Sequence, residues 1–134
     1  MLAMVLLTFM VAGTMFWRRI AALKAGRIHP QAVALSSQVS SLLQDSRASD
    51  NFRNLFETPV LFYIAILIIY SARMGSAAYL ILAWIYVASR FLHSWIQCGK
   101  NKVMSRFKVF VLSCVTLLII WLLIAYDLLL AGRS

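Results

Sequence analysis

Arg53, Asn54 and Glu57 stand at the mouth of an otherwise apolar stretch, DNFRNLFETPVLFY, residues 50–63. On a helix Arg53 and Glu57 lie one turn apart and Asn54 lies a turn before Glu57, so one face carries a guanidinium, an amide and a carboxylate. A second set follows at Arg90, His93 and Gln97, spaced i, i+3 and i+7 and again sharing a face. Arg18 and Arg19 close the first apolar run, and Arg106 opens the last. Charges at the edge of a bilayer helix are costly unless they pair, reach water or meet a ligand. Several cations around a single acid, Glu57, point to an anionic ligand. The competing reading pairs Glu57 with Arg53, buries Arg90 as a structural ion and lets the others snorkel to headgroups.

Other chemistry is thinly represented. His29 and His93 are far apart, with no CxxC and no HExxH, so no metal site is expected. His29, beside Pro30 in a polar loop, reads as solvated. Cys98 and Cys114 are too few for a disulfide scaffold. Cys114, inside an apolar run, reads as a small packing residue.

The elements that position these groups follow from composition. The chain has 134 residues, 63% of them hydrophobic, with mean hydropathy +0.85, too apolar for a soluble domain of this size. Net charge is +9, from 13 Lys and Arg against 4 Asp and Glu. The basic residues flank apolar runs, so topology and anionic headgroups explain them and nucleic acid is not expected as a partner.

Helices are expected at about 1–25, 51–72, 77–97 and 104–130, each long enough to cross a bilayer. The first run carries its charge after the apolar stretch, the wrong end for a cleaved signal peptide. Residues 26–30 (GRIHP) break that helix. Leu35, Val39, Leu42 and Leu43 recur at a spacing that allows a short amphipathic surface helix. Asp50 is the expected N-cap of the second span. Pro59 falls inside that span, where it removes a backbone hydrogen bond, frees a carbonyl near Leu55 and kinks the helix. Asp127 is expected at the interface. The connections after spans one and three hold Arg18, Arg19, Lys24, Arg27, Arg47, Arg53, Lys100, Lys102, Arg106 and Lys108; the opposite side holds Arg73 and Arg133. The positive-inside rule then places the basic connections in the cytoplasm and both termini outside, periplasmic in a bacterial inner membrane. The expected fold is a single-domain, all-α integral membrane protein, an up-down bundle of four transmembrane helices, with every span bringing polar groups to one level.

RNLFETP (residues 53–59) and RFLHSWIQCGKNKVMSR (residues 90–106) resemble the MAPEG family, membrane-associated proteins in eicosanoid and glutathione metabolism, in a bacterial, microsomal glutathione transferase-like form. The Arg-Asn-x-x-Glu core, the Arg-x-x-His of span three and the arginine sixteen residues after Arg90 fall in register over the last two-thirds of the chain. The resemblance implies a homo-oligomer, a trimer with a dimer as the alternative, binding glutathione between subunits. By the same resemblance Arg53 holds a glutathione carboxylate, Asn54 its backbone and Glu57 its ammonium. His93 lines the pocket, with Arg90 and Gln97 beside it. Arg106 stands by the sulfur as the catalytic group, and Arg18 or Arg19 adds a carboxylate contact. The implied activity is a transferase or peroxidase acting on lipophilic electrophiles or lipid hydroperoxides that enter from the bilayer. Gln97 stands where such enzymes often carry a tyrosine, and Phe107 and Phe110 where they carry hydroxyls.

Two other functions compete. A non-catalytic bundle would use the basic inner-leaflet cleft for an anionic lipid or a partner. A small multidrug exporter would need an embedded acid in span one, and residues 1–17 contain none.

Overall fold

A computed structural model describes residues 1–29, 31 and 45–131. The expected surface helix falls largely outside the described residues. Among the described residues five helices follow in order: α1 (Leu2–Gly26), α2 (Arg47–Asn54), α3 (Thr58–Ser71), α4 (Ala77–Cys98) and α5 (Val103–Ala131). Among the described residues there is no strand. The segments Leu2–Gly26, Arg47–Ser71, Ala77–Cys98 and Val103–Leu130 are each long and apolar enough to cross a membrane. At 1.5 Å per residue the shortest of them rises about 33 Å, against about 30 Å of hydrocarbon.

Local chemistry sets the helix ends. α1 closes on Arg27, left-handed at φ 49°, with the Ile28 amide donating to the Leu23 carbonyl at 3.0 Å. α3 ends similarly at Arg73 (φ 53°), where the Met74 amide donates to the Ile69 carbonyl at 3.0 Å. Asn101, a residue type that tolerates this conformation, turns the chain after α4 (φ 47°). The Ser76 hydroxyl caps α4 by accepting from the Ala78 amide.

α4 and α5 form the most extensive antiparallel pair; α1 packs on α2 and α4, and α3 packs on α5. The core draws Met4, Leu7 and Val11 from α1, Phe62 and Ala65 from α3, Tyr86 and Val87 from α4, and Leu117, Ile120 and Ile124 from α5. The Phe62 and Tyr86 rings stack with centroids 4.5 Å apart. The outer faces are apolar instead: Phe9, Leu67, Leu80, Trp84, Leu118 and Leu122 are all exposed, as lipid-facing residues are. Buried hydroxyls return to their own helices, Ser89 to the Tyr86 carbonyl and Ser113 to the Phe110 carbonyl, each at 2.7 Å.

The second span departs from its expected form. Its N-cap is Ser46, and Asp50 lies within the first turn of α2. Residues 55–57 leave the helix, with Glu57 at φ −96°, ψ −97°. Pro59 therefore sits in the first turn of a new helix, where its missing N–H is no loss, rather than inside a continuous one. The shared face expected for Arg53 and Glu57 is lost with that continuity.

Candidate functional site

The polar side chains singled out by sequence fall into three groups, all toward the basic end of the bundle. The first lines a cleft of about 670 Å³ between the end of α1 and α2. Met15, Ala22 and Phe52 supply apolar wall, while Arg18, Arg19, Arg47 and Arg53 line the cleft together with Asp45 and Asp50. The volume lies in the range of small-molecule pockets.

Asp45 holds part of this cleft together. Arg47 grips its carboxylate side-on, Nε to Oδ1 at 2.7 Å and Nη2 to Oδ2 at 2.9 Å, and Arg18 reaches Oδ2 at 3.3 Å. The Arg47 hydrogen bonds hold the Asp45 carboxyl below its ordinary value, with the Arg47 and Arg18 charges adding to the effect and partial burial opposing it. The same two arginines close the C-terminus of α4. Arg18 donates to the Cys98 carbonyl at 2.6 Å and Arg47 to the Gly99 carbonyl at 2.7 Å. Cations suit that position because the carbonyl end of a helix is its negative pole. Arg53 is different: it is exposed, and its side chain makes no hydrogen bond or ion pair with the described residues.

The second group is a buried ladder between α2 and α4. Asn51 donates to Cys98 Sγ at 3.4 Å and accepts from the Ser94 hydroxyl at 3.2 Å. Asn54 Nδ2 donates to Gln97 Oε1 at 3.2 Å, and His93 Nε2 meets the same oxygen at 2.9 Å. With Oε1 as the acceptor, the shared bond assigns the histidine proton to Nε2. Arg90 has no exposed surface; its Nη2 donates to the Asn54 carbonyl at 3.2 Å and its guanidinium lies 5.9 Å from the centroid of the Phe110 ring. Arg90 Nε and Nη1 have no protein partner. The common face expected for Arg90, His93 and Gln97 is present and wholly buried.

The third group is Arg106 on the first turn of α5, half-buried, donating to Asn101 Oδ1 at 2.8 Å. It lies within electrostatic reach of His93 but does not line the cleft. Glu57 is exposed and is also outside the cleft. Thus Arg18, Arg19 and Arg53 share one cavity, Asn54, Arg90, His93 and Gln97 share one network, and Glu57 and Arg106 stand apart from both.

Sequence reasoning passed over Asp45, Arg47, Asn51 and Ser94. Asn51 and Ser94 had a signal: each lies one turn before a residue already singled out, Asn54 and Gln97 respectively. Asp45 had none, because a loop acid shows its partners only once α1, α2 and α4 meet. Among the described residues no cluster of His, Cys, Asp or Glu could hold a metal. Asp127, expected at the interface, accepts a hydrogen bond from the Tyr79 hydroxyl at 2.7 Å, tying α5 to the start of α4.

No curated protein and no solved structure matches the chain. The description of a protein family does match, over residues 1–126 of the 134, taking in the first three spans and most of the fourth. With its four apolar helices and its polar groups gathered at one end, this chain belongs to the MAPEG family.

Proposed function

We propose that the protein is a membrane-embedded, glutathione-dependent transferase or peroxidase acting on lipophilic electrophiles or lipid hydroperoxides. The observation that carries this reading is the arginine-lined cleft, in which the Arg53 side chain is exposed and has no partner among the described residues. Glutathione brings two carboxylates, which Arg53 and Arg18 or Arg19 receive; Glu57, at the nearby helix break, takes the ammonium. Asn54, beside Arg53 and anchored through Gln97, holds the peptide backbone. Arg106 lines no part of this cleft within the protomer, so its role beside the sulfur is met between copies of a homo-oligomer.

A thiol of pKa near 8.5 is mostly protonated at neutral pH, and a guanidinium close to the sulfur favours the thiolate. Arginine keeps its charge where lysine would lose it. Lowering the thiol pKa by about 1.4 units corresponds to roughly 2 kcal/mol. In a transfer the thiolate forms a C–S bond as the leaving group departs with its electron pair. In a reduction two glutathiones become the disulfide while the hydroperoxide becomes an alcohol and water.

The test is thermal unfolding of the purified protein with millimolar glutathione, followed by turnover with a chlorinated aromatic and a lipid hydroperoxide. The expected result is a saturable rise in Tm that Arg53→Ala removes, with thiol consumption. A rise without turnover would favour a non-catalytic anion-binding bundle, a reading consistent with the apolar rings of Phe107 and Phe110 on α5. No rise at all would contradict both glutathione readings.

A further inference from the structure

We infer that Arg90 is a positioning residue which keeps Arg53 available to an anion by holding α2 and α3 apart, so that Arg53 cannot pair with Glu57. The inference rests on the reading that the α1–α2 cleft receives an anion.

A continuous helix from residue 47 to residue 71 would place Arg53 and Glu57 one turn apart, with the carboxylate beside the guanidinium it would neutralise. The break over residues 55–57 prevents this: Arg53 lines the cleft, Glu57 does not, and no ion pair joins them. Pro59 favours the break, since its missing N–H and its ring would be costly inside a continuous helix, but it leaves the Asn54 carbonyl without a partner.

Arg90 supplies the fastening. The break orphans carbonyls at the end of α2, and the Asn54 carbonyl receives the Arg90 guanidinium. The two are mutually dependent. Without Arg90 the carbonyl loses its side-chain donor, and without the break that carbonyl would be taken up by the helix ladder and a wholly buried guanidinium would lose its one hydrogen bond. The guanidinium also sits at the negative end of α2, where the helix dipole favours a cation. Gln97 holds the Asn54 side chain from the same helix, so α4 grips the last residue of α2 twice. Asn54 directly follows Arg53 in the chain, so the grip on Asn54 sets the orientation of Arg53.

The experiment is a thermal-shift titration of the full chain with two probes, inorganic sulfate and glutathione, for wild type, Arg90→Met, Glu57→Gln and the double variant. Arg90→Met is expected to weaken sulfate binding at least tenfold, although Arg90 does not reach the cleft. Glu57→Gln alone is expected to change sulfate binding less than threefold, because sulfate brings no ammonium for Glu57 to meet, and to weaken glutathione binding. In the Arg90→Met background the same change restores most of the loss, because the freed Arg53 has no acid to pair with. A merely structural role for Arg90 would leave the double variant as weak as Arg90→Met. If Arg90→Met fails to fold, Arg90→Lys keeps one N–H for the Asn54 carbonyl and is expected to bind sulfate with an intermediate loss that Glu57→Gln again repairs. Unchanged affinity in a folded Arg90 variant, or no repair by Glu57→Gln, overturns the inference. Sulfate binding without glutathione binding would sink the glutathione reading and leave this one standing; a wild type that binds neither sinks both.

Discussion

Gln97 stands at the centre of the buried polar chemistry. Its Oε1 accepts from Asn54 and from His93, and the side chain is almost fully buried, so no water replaces it. Gln97→Leu keeps the volume and removes the acceptor, leaving the buried His93 N–H unsatisfied at about 1–3 kcal/mol and the half-buried Asn54 amide at less. The expected outcome is a loss of roughly 2–4 kcal/mol in unfolding free energy, read by denaturation in detergent, while Gln97→Glu, which keeps an oxygen, loses less. A Gln97→Leu protein as stable as wild type would contradict the shared bond. The helical spacing of Arg90, His93 and Gln97 was legible in the sequence, but the direction of their face was not. Periodicity tells which residues lie together, not whether they meet a ligand or a neighbouring helix. Here α2 brings Asn51 and Asn54 as partners, and a stretch that reads as a lining becomes an internal seam.

At the scale of elements, the second span shows most clearly where pattern reading stops. Its apolar core and its proline were visible, yet continuity was not, because the break depends on a donor from another helix. The arginine latch at the end of α4 is a second case, joining α1, α2 and α4 through Asp45. Its pH dependence has a definite sign. The Asp45 carboxyl titrates below its ordinary value of 3.8 when folded, so its contribution is full above that value and is lost as pH falls through the folded value. Asp45→Asn is expected to lower Tm at pH 7, modestly for an exposed pair, with the gap to wild type closing as pH falls below about 4. A gap that does not narrow at all as pH falls to the acid limit of the folded protein would mean that Asp45 acts through something other than its charge.

For the whole molecule, the four spans and the up-down order were open to reading, since length, hydropathy and flanking charge are properties of single segments. Helix pairing was less so: α1 meets α2 and α4 at the basic end, an arrangement that nothing in its own apolar pattern dictates. Exposed Trp17 and Trp95 lie at that end, and Tyr70 and Tyr126 at the other, as aromatic belts do at the two interfaces. The proposed orientation places the basic end in the cytoplasm. In a chain with Cys98 and Cys114 replaced by alanine, a cysteine at position 74 is expected to react with a membrane-impermeant maleimide on intact cells, and one at position 100 is not. The reverse pattern would overturn the orientation.

The arginine cleft between α1 and α2 is proposed as the seat for an anionic ligand, glutathione in the proposed reaction. Its most direct test is a density map of the purified protein at saturating glutathione. The tripeptide is expected in that cleft, a carboxylate within about 3 Å of the Arg53 guanidinium. An empty cleft under those conditions, or glutathione bound away from Arg18, Arg19 and Arg53, would contradict it.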